Sequence, residues 1–187
     1  GFDELKQRLG VSNKSIVGAK SIEEASGPPE NQIKRLIKLY MTDEIELALT
    51  GASKLLLEFP DSVILYNIAG AAHRSLGNLD ESIDAYKKAI SIDASNAETY
   101  NNLGNALHER GEMEESIQVF QKAIRIKPDY AKAYYNIGIT LKETGKFEEA
   151  IKAFMSALSI KPNYAKAYYK VGLTLQDQGK LDEAIEA

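Results

Sequence analysis

Residues 131–164 read AKAYYNIGITLKETGKFEEAIKAFMSALSIKPNY. Tyr134, Ile137, Gly138 and Leu141 fall at helical spacing on one face, which predicts an amphipathic helix. Gly145 stops it. Phe147, Ala150, Ile151, Phe154, Ala157 and Leu158 then repeat the i, i+3, i+4, i+7 pattern of a second helix. Pro162 closes that helix, because it lacks a donor and restricts Lys161 before it. Small residues let the two helices approach, and bulky ones fill the space between them. One such hairpin cannot bury its apolar face alone, so it needs stacked neighbours.

Those neighbours are in the chain. Residues 97–130 read AETYNNLGNALHERGEMEESIQVFQKAIRIKPDY, and the same frame restarts at Ala165 with AKAYYKVGLTLQDQGKLDEAIEA. Residues 63–96 keep it through Tyr66, Gly70, Gly77, Tyr86 and Ala89. Residues 29–62 keep it faintly, through Ala48 and Pro60, with Asp43 in place of the turn glycine. From residue 63 on, large residues stand fourth in each unit (Tyr66, Tyr100, Tyr134, Tyr168) and glycine stands eighth (Gly70, Gly104, Gly138, Gly172). Aromatics stand twenty-fourth (Tyr86, Phe120, Phe154) and alanine twenty-seventh (Ala89, Ala123, Ala157). Proline ends the units at Pro60, Pro128 and Pro162, and Ala94 departs from it.

The period of about 34 and these positions resemble the tetratricopeptide repeat. The resemblance implies an all-α fold, a right-handed α-solenoid of stacked antiparallel helix pairs. It divides the chain into an N-terminal extension at 1–28, a degenerate repeat at 29–62, repeats at 63–96, 97–130 and 131–164, and a truncated repeat at 165–187. In the extension, Phe2, Leu5 and Leu9 suggest a short helix, and Ser21 with Glu24 a capping box. The tail is expected to dock on the first repeat or to be partly mobile, with a separate functional arm as the alternative. The last unit stops inside its second helix, so the expectation is an interrupted array or an open end that self-associates.

Composition narrows the function classes. The 187 residues are 44% hydrophobic and 27% charged, too apolar for a disordered chain. A net charge of −4 argues against a general nucleic-acid binder. No apolar run approaches a membrane span. The absence of cysteine removes disulfides, thiolate catalysis and cysteine-ligated zinc. No basic stretch leads into an apolar core at the start, which favours a cytoplasmic over a secreted location without fixing it. No catalytic constellation, metal set or cofactor motif stands out. His73 falls where it meets the core, and His108 points to the inner surface. The glycines recur with the repeat, as packing and turn geometry require, and do not form a phosphate loop. Glu114-Glu115 and Glu148-Glu149 begin second helices, where they complement the dipole.

The expected activity is therefore binding, not catalysis. In the resembled family the first helix of each unit lines a concave groove. The groove residues this implies are Asn102, Asn105, Tyr135, Asn136, Lys166, Tyr169 and Lys170. Asparagine both donates and accepts, tyrosine offers apolar area with a polar tip, and lysine holds acidic groups. Unit 131–164 holds five Lys against three acidic residues, while unit 97–130 holds four basic and six acidic residues. The groove is thus expected to be more positive toward its C-terminal end.

Two family comparisons refine this. Some tetratricopeptide domains clamp a C-terminal carboxylate of heat-shock chaperones. Against that clamp, the chain offers Asn105, Asn136 and Lys166 as matches, with Lys170 for arginine and Asn101 for the first lysine. The string YNNLGNALHERG also resembles the arrays of O-linked N-acetylglucosamine transferases, with Asn102 and Asn136 as rungs of an asparagine ladder. The resemblance implies a protein or peptide partner, acidic or ending in a free carboxylate. An alternative role is a substrate-recruiting region of a larger glycosyl-, sulfo- or methyltransferase.

Overall fold

The structure is a computed structural model that describes residues 27–179. The expected helix at Phe2, Leu5 and Leu9, the Ser21–Glu24 box and the final residues 180–187 lie outside the described residues. Helices α1 (Glu30–Met41), α2 (Ile45–Glu58), α3 (Val63–Ser75), α4 (Leu79–Ile92), α5 (Ala97–Glu109), α6 (Met113–Ile126), α7 (Ala131–Glu143), α8 (Phe147–Ile160) and α9 (Ala165–Asp177) follow one another, with no strand among the described residues. None of these helices is long and apolar enough to cross a membrane. They form two compact units, one ending at Ala106 and one starting at Leu107.

Turn chemistry sets the hairpins. Gly77, Gly111, Gly145 and Gly179 all adopt positive φ after a first helix. In the first hairpin Asp43 takes that place with φ 64°, a left-handed conformation that aspartate tolerates better than most residues. The backbone closes similarly in each case: Glu44 N donates to Leu39 O, Asn78 N to His73 O and Lys146 N to Leu141 O, each at 2.9 Å. Second helices end one residue before proline at Phe59, Lys127 and Lys161, all outside the helical region. Where Ala94 replaces proline, α4 still ends at Ile92. There the Asp93 carboxylate accepts from Ser95 N at 2.8 Å and Ser95 Oγ at 2.6 Å, and a local turn replaces the ring. Asn96 then caps α5 by accepting from the backbone N–H of Glu98 and Thr99.

In the first unit, Ile33, Leu36, Ile37, Ala52, Leu55, Leu65 and Ile68 form the apolar core of α1, α2 and α3. A Cβ on Gly70 would lie 2.8–2.9 Å from the Tyr86 ring, so glycine is required where α3 meets α4. Ser82 Oγ donates to Gly70 O at 2.8 Å across the same contact. The α1/α2 hairpin reverses the sizes: Leu36 stands where later repeats have glycine, and Ala52 where they have an aromatic. Gly51 beside it leaves room for Leu36. The repeat is degenerate in sequence because it solves the same packing problem with the large residue on the other helix.

In the second unit, Phe120, Ile137, Leu141, Ala150, Phe154, Leu158, Ala167, Val171 and Leu175 form one core across α6 to α9. Gly138 is the close contact here, since a Cβ would lie 2.5 Å from Phe154 Cε1.

Candidate functional site

The expected groove residues fall in both units. Asn102 and Asn105 belong to α5 in the first unit. Asn102 is only 1% exposed, so its side chain is interior, and its Nδ2 has no hydrogen-bond partner among the described residues. Asn101, expected in a carboxylate clamp, is also fully buried. Asn105 is half-buried. One repeat earlier, at the position equivalent to Asn101, buried Asn67 donates from Nδ2 to Thr99 Oγ1 at 2.9 Å. That amide ties neighbouring repeats together and does not face a ligand.

The other five residues lie in the second unit, on α7 and α9. Lys166, Tyr169 and Lys170 sit at i, i+3 and i+4, so they share one face of α9. Lys166 is exposed, Tyr169 is 67% exposed and Lys170 is half-buried. Neither lysine has an acidic partner among the described residues. On α7, Asn136 is half-buried. Tyr135 is half-buried and packs its ring against Tyr164 at 5.0 Å and Phe154 at 5.7 Å. Tyr135 therefore serves as packing as much as lining. Burial raises the pKa of both phenols, and the Tyr135 charge raises Tyr164 further. Both remain neutral donors at physiological pH.

Sequence reasoning also pointed His108 to the inner surface, where Lys142, Glu143 and Asp177 hold the corresponding positions of the following first helices. The structure pairs them with each other. His108 Nε2 lies 2.8 Å from Glu143 Oε2, 35 residues on, and Lys142 Nζ lies 2.7 Å from Asp177 Oδ2 at the same spacing. These links run along the edges of successive first helices, so those charges are already occupied. The signal was present as a basic residue at the twelfth position facing an acidic one at the thirteenth of the next unit. His73 is half-buried, as its helical face implied, with Nδ1 buried and unpaired among the described residues. No group of three or more His, Cys, Asp or Glu among the described residues could hold a metal ion.

On the second unit α9 presents an exposed aromatic beside two lysines that have no acidic partner among the described residues. Such a face can stack on or shield an apolar side chain and hold a carboxylate. It offers no paired acid and base for chemistry.

Sequence profiles described as TPR repeat match residues 70–111 and 104–145, and profiles described as tetratricopeptide repeat match 131–164 and 153–186. No relative among curated proteins matches the sequence. Among solved structures, a crystal structure of MamA is similar at 30% identity and TM-score 0.73, covering 81% of this chain and 88% of that one. YrrB, described as a TPR protein with an unusual peptide-binding site, is similar at 21% identity and TM-score 0.66, covering 100% of this chain and 88% of that one. The pilF protein of Pseudomonas aeruginosa is similar at 20% identity and TM-score 0.77, covering 84% of this chain and 72% of that one. The last two likenesses concern the fold alone.

Proposed function

Because the chain belongs to the tetratricopeptide repeat family, whose members serve as protein-interaction scaffolds, we propose that it holds an extended peptide segment of a partner protein on the α7–α9 face of its second unit. The observation that carries this reading is Tyr169, 67% exposed between two lysines that have no acidic partner among the described residues. An exposed aromatic costs little to cover, and its burial contributes binding energy once a partner supplies apolar area. Lys166 and Lys170 select an acidic side chain or a terminal carboxylate beside that apolar contact. Asn136 serves the partner backbone from α7, where one amide satisfies both a carbonyl and an N–H. The peptide-binding description of YrrB is consistent with a role of this kind, although the likeness to it is one of fold. The chain acts as a binding module in this reading, with no catalytic residue assigned.

The test is calorimetric titration with short peptides ending in an aliphatic residue and a free acidic terminus, against the same peptides amidated and with lysine for the acid. The acidic form should bind more tightly, and more weakly as salt rises. Tyr169→Ala and Lys166→Ala should each weaken binding by about tenfold, or ~1.4 kcal/mol. Lys152→Ala, on the exposed surface of α8, should change nothing. Equal affinity for acidic and basic peptides, or unchanged binding in folded Tyr169→Ala, would sink the assignment.

A further inference from the structure

The inner face of the first unit is closed. In the repeat at 29–62 the fifth and ninth positions hold Ile33 and Ile37, exposed by 3% and 0%. In the next repeat the sixth and ninth positions hold Ile68 and Ala71, also buried. Asn102 continues the row at the sixth position of α5, with Nδ2 buried and without a partner among the described residues. The inner positions of α7 in the second unit instead leave Tyr135, Asn136 and Ile139 half-buried. The second helices do not account for the difference. In both units they pack against another side of the first helices, through Gly70 on Tyr86 and Gly138 on Phe154. The inner side of α1, α3 and α5 therefore needs a cover of its own.

Residues 1–26 are the stretch of chain that fits. The burial belongs to the single chain, so its cover is the chain's own. The segment joins the first unit directly, because Gly27 and Pro28 lie in a cleft of about 380 Å³ with Phe59, Pro60 and Ile64, where α1 and α3 begin. Residues 180–187 follow α9 in the other unit. The length suffices: even a fully helical stretch of that size spans about 39 Å at 1.5 Å per residue. Three neighbouring first helices, spaced by up to about 10 Å, extend over only about 20 Å. The chemistry matches as well. Phe2, Leu5 and Leu9 fall on one helical face, and Ile16, Val17 and Ile22 follow nearer to Gly27, which gives apolar side chains for an apolar floor. A main-chain carbonyl of the segment is the acceptor that a buried amide N–H such as Asn102 Nδ2 calls for. Residues 5–22 carry Lys6, Arg8, Lys14 and Lys20 and no acidic residue, and the cleft where the segment joins is rimmed by Glu58, Asp61 and Asp93. Tethering raises the local concentration of the segment above that of a separate partner.

We propose that residues 1–26 lie along the inner face of the first unit as a built-in ligand, covering α1, α3 and α5 and leaving the α7–α9 face to a partner. The chain has no cysteine, so Ser12→Cys in the full chain takes a single nitroxide label. Paramagnetic broadening of the amide NMR signals then maps where the label sits. The signals of Ile37, Ile68 and Asn102 should lose most of their intensity, while those of Leu47 and Lys88, exposed on second helices, keep theirs. The pattern should not change on dilution. Leu5→Asp with Leu9→Asp alters only the segment, should keep the helical circular dichroism, and should restore most of the lost intensity. Full intensity at Ile37, Ile68 and Asn102 in the labelled chain overturns the proposal. So does broadening centred on Leu47, which puts the segment on the outer side of the first repeat. Broadening of an isotope-labelled chain without cysteine by an added spin-labelled copy overturns it too, because the segment then serves a second molecule. A pattern indifferent to the two aspartates overturns it as well.

Discussion

The inner positions of the two units differ more than their sequences do. In the first unit the fifth, sixth and ninth positions of the repeat at 63–96 hold Asn67, Ile68 and Ala71, exposed by 0%, 0% and 2%. The fifth and sixth positions of the next repeat hold Asn101 and Asn102, exposed by 0% and 1%. In the second unit the same positions hold Tyr135, Asn136 and Ile139, all half-buried, and then Tyr169, which is mostly exposed. The repeat register fixes the direction in which a side chain leaves its helix. It does not fix whether water lies in that direction. Asn102 on the first unit is interior structure, and its counterpart Asn136 on the second is half-buried.

Three substitutions and one condition break or sharpen this contrast. The largest effect is expected from Phe154→Ala. Phe154 is fully buried, meets Gly138 and carries the Tyr135 ring, so its removal should cost about 3–5 kcal/mol. Urea denaturation measures it, and peptide binding should be lost with it because Tyr135 and Asn136 sit on the helix it supports. Asn67→Ala should cost about 1–3 kcal/mol by leaving Thr99 Oγ1 buried without its donor. Peptide affinity should be unchanged, and a fall in affinity in the folded variant would erase the distinction between a sealed and an open face. Tyr169→Ala is the mirror case, weakening peptide binding about tenfold with a stability change within about 0.5 kcal/mol.

The smallest effect is expected from alkali. Burial raises the folded-state pKa of Tyr135 and Tyr164 above the unfolded value, so the neutral phenols favour the folded state. Their contribution is full below a pH of about 10, the unperturbed tyrosine value, and is lost as pH rises through the raised folded values. The unfolding midpoint should fall across that alkaline range, and Tyr135→Phe should flatten the fall. An identical pH profile in Tyr135→Phe would detach the ring cluster from the effect.

Most of the architecture was legible in the chain. Gly77, Gly111 and Gly145 end first helices because each needs a left-handed backbone, and the prolines end second helices because the residue before each is forced out of the helical region. Asp43 was legible as the substitute for a turn glycine, and it takes the left-handed conformation. The site was less legible. Asn102 and Asn136 are the same residue at the same repeat position, and no local pattern separates a buried amide from a half-buried one. Tyr135 read as lining, and its ring stacks on Tyr164 at the end of its own repeat. His108 read as a lone residue facing the inner surface, and it is bonded to Glu143 of the next repeat.

The sequence by itself determined the period, the helix ends, the small-against-large contacts and the family, because each rests on backbone preference or on packing between residues near in the chain. The tertiary structure decided which inner residues are free, because accessibility and pairing depend on atoms a full repeat away. A lysine joined to Asp177 and a lysine with no acidic partner among the described residues are identical in the alphabet, and only their neighbours in space distinguish Lys142 from Lys166.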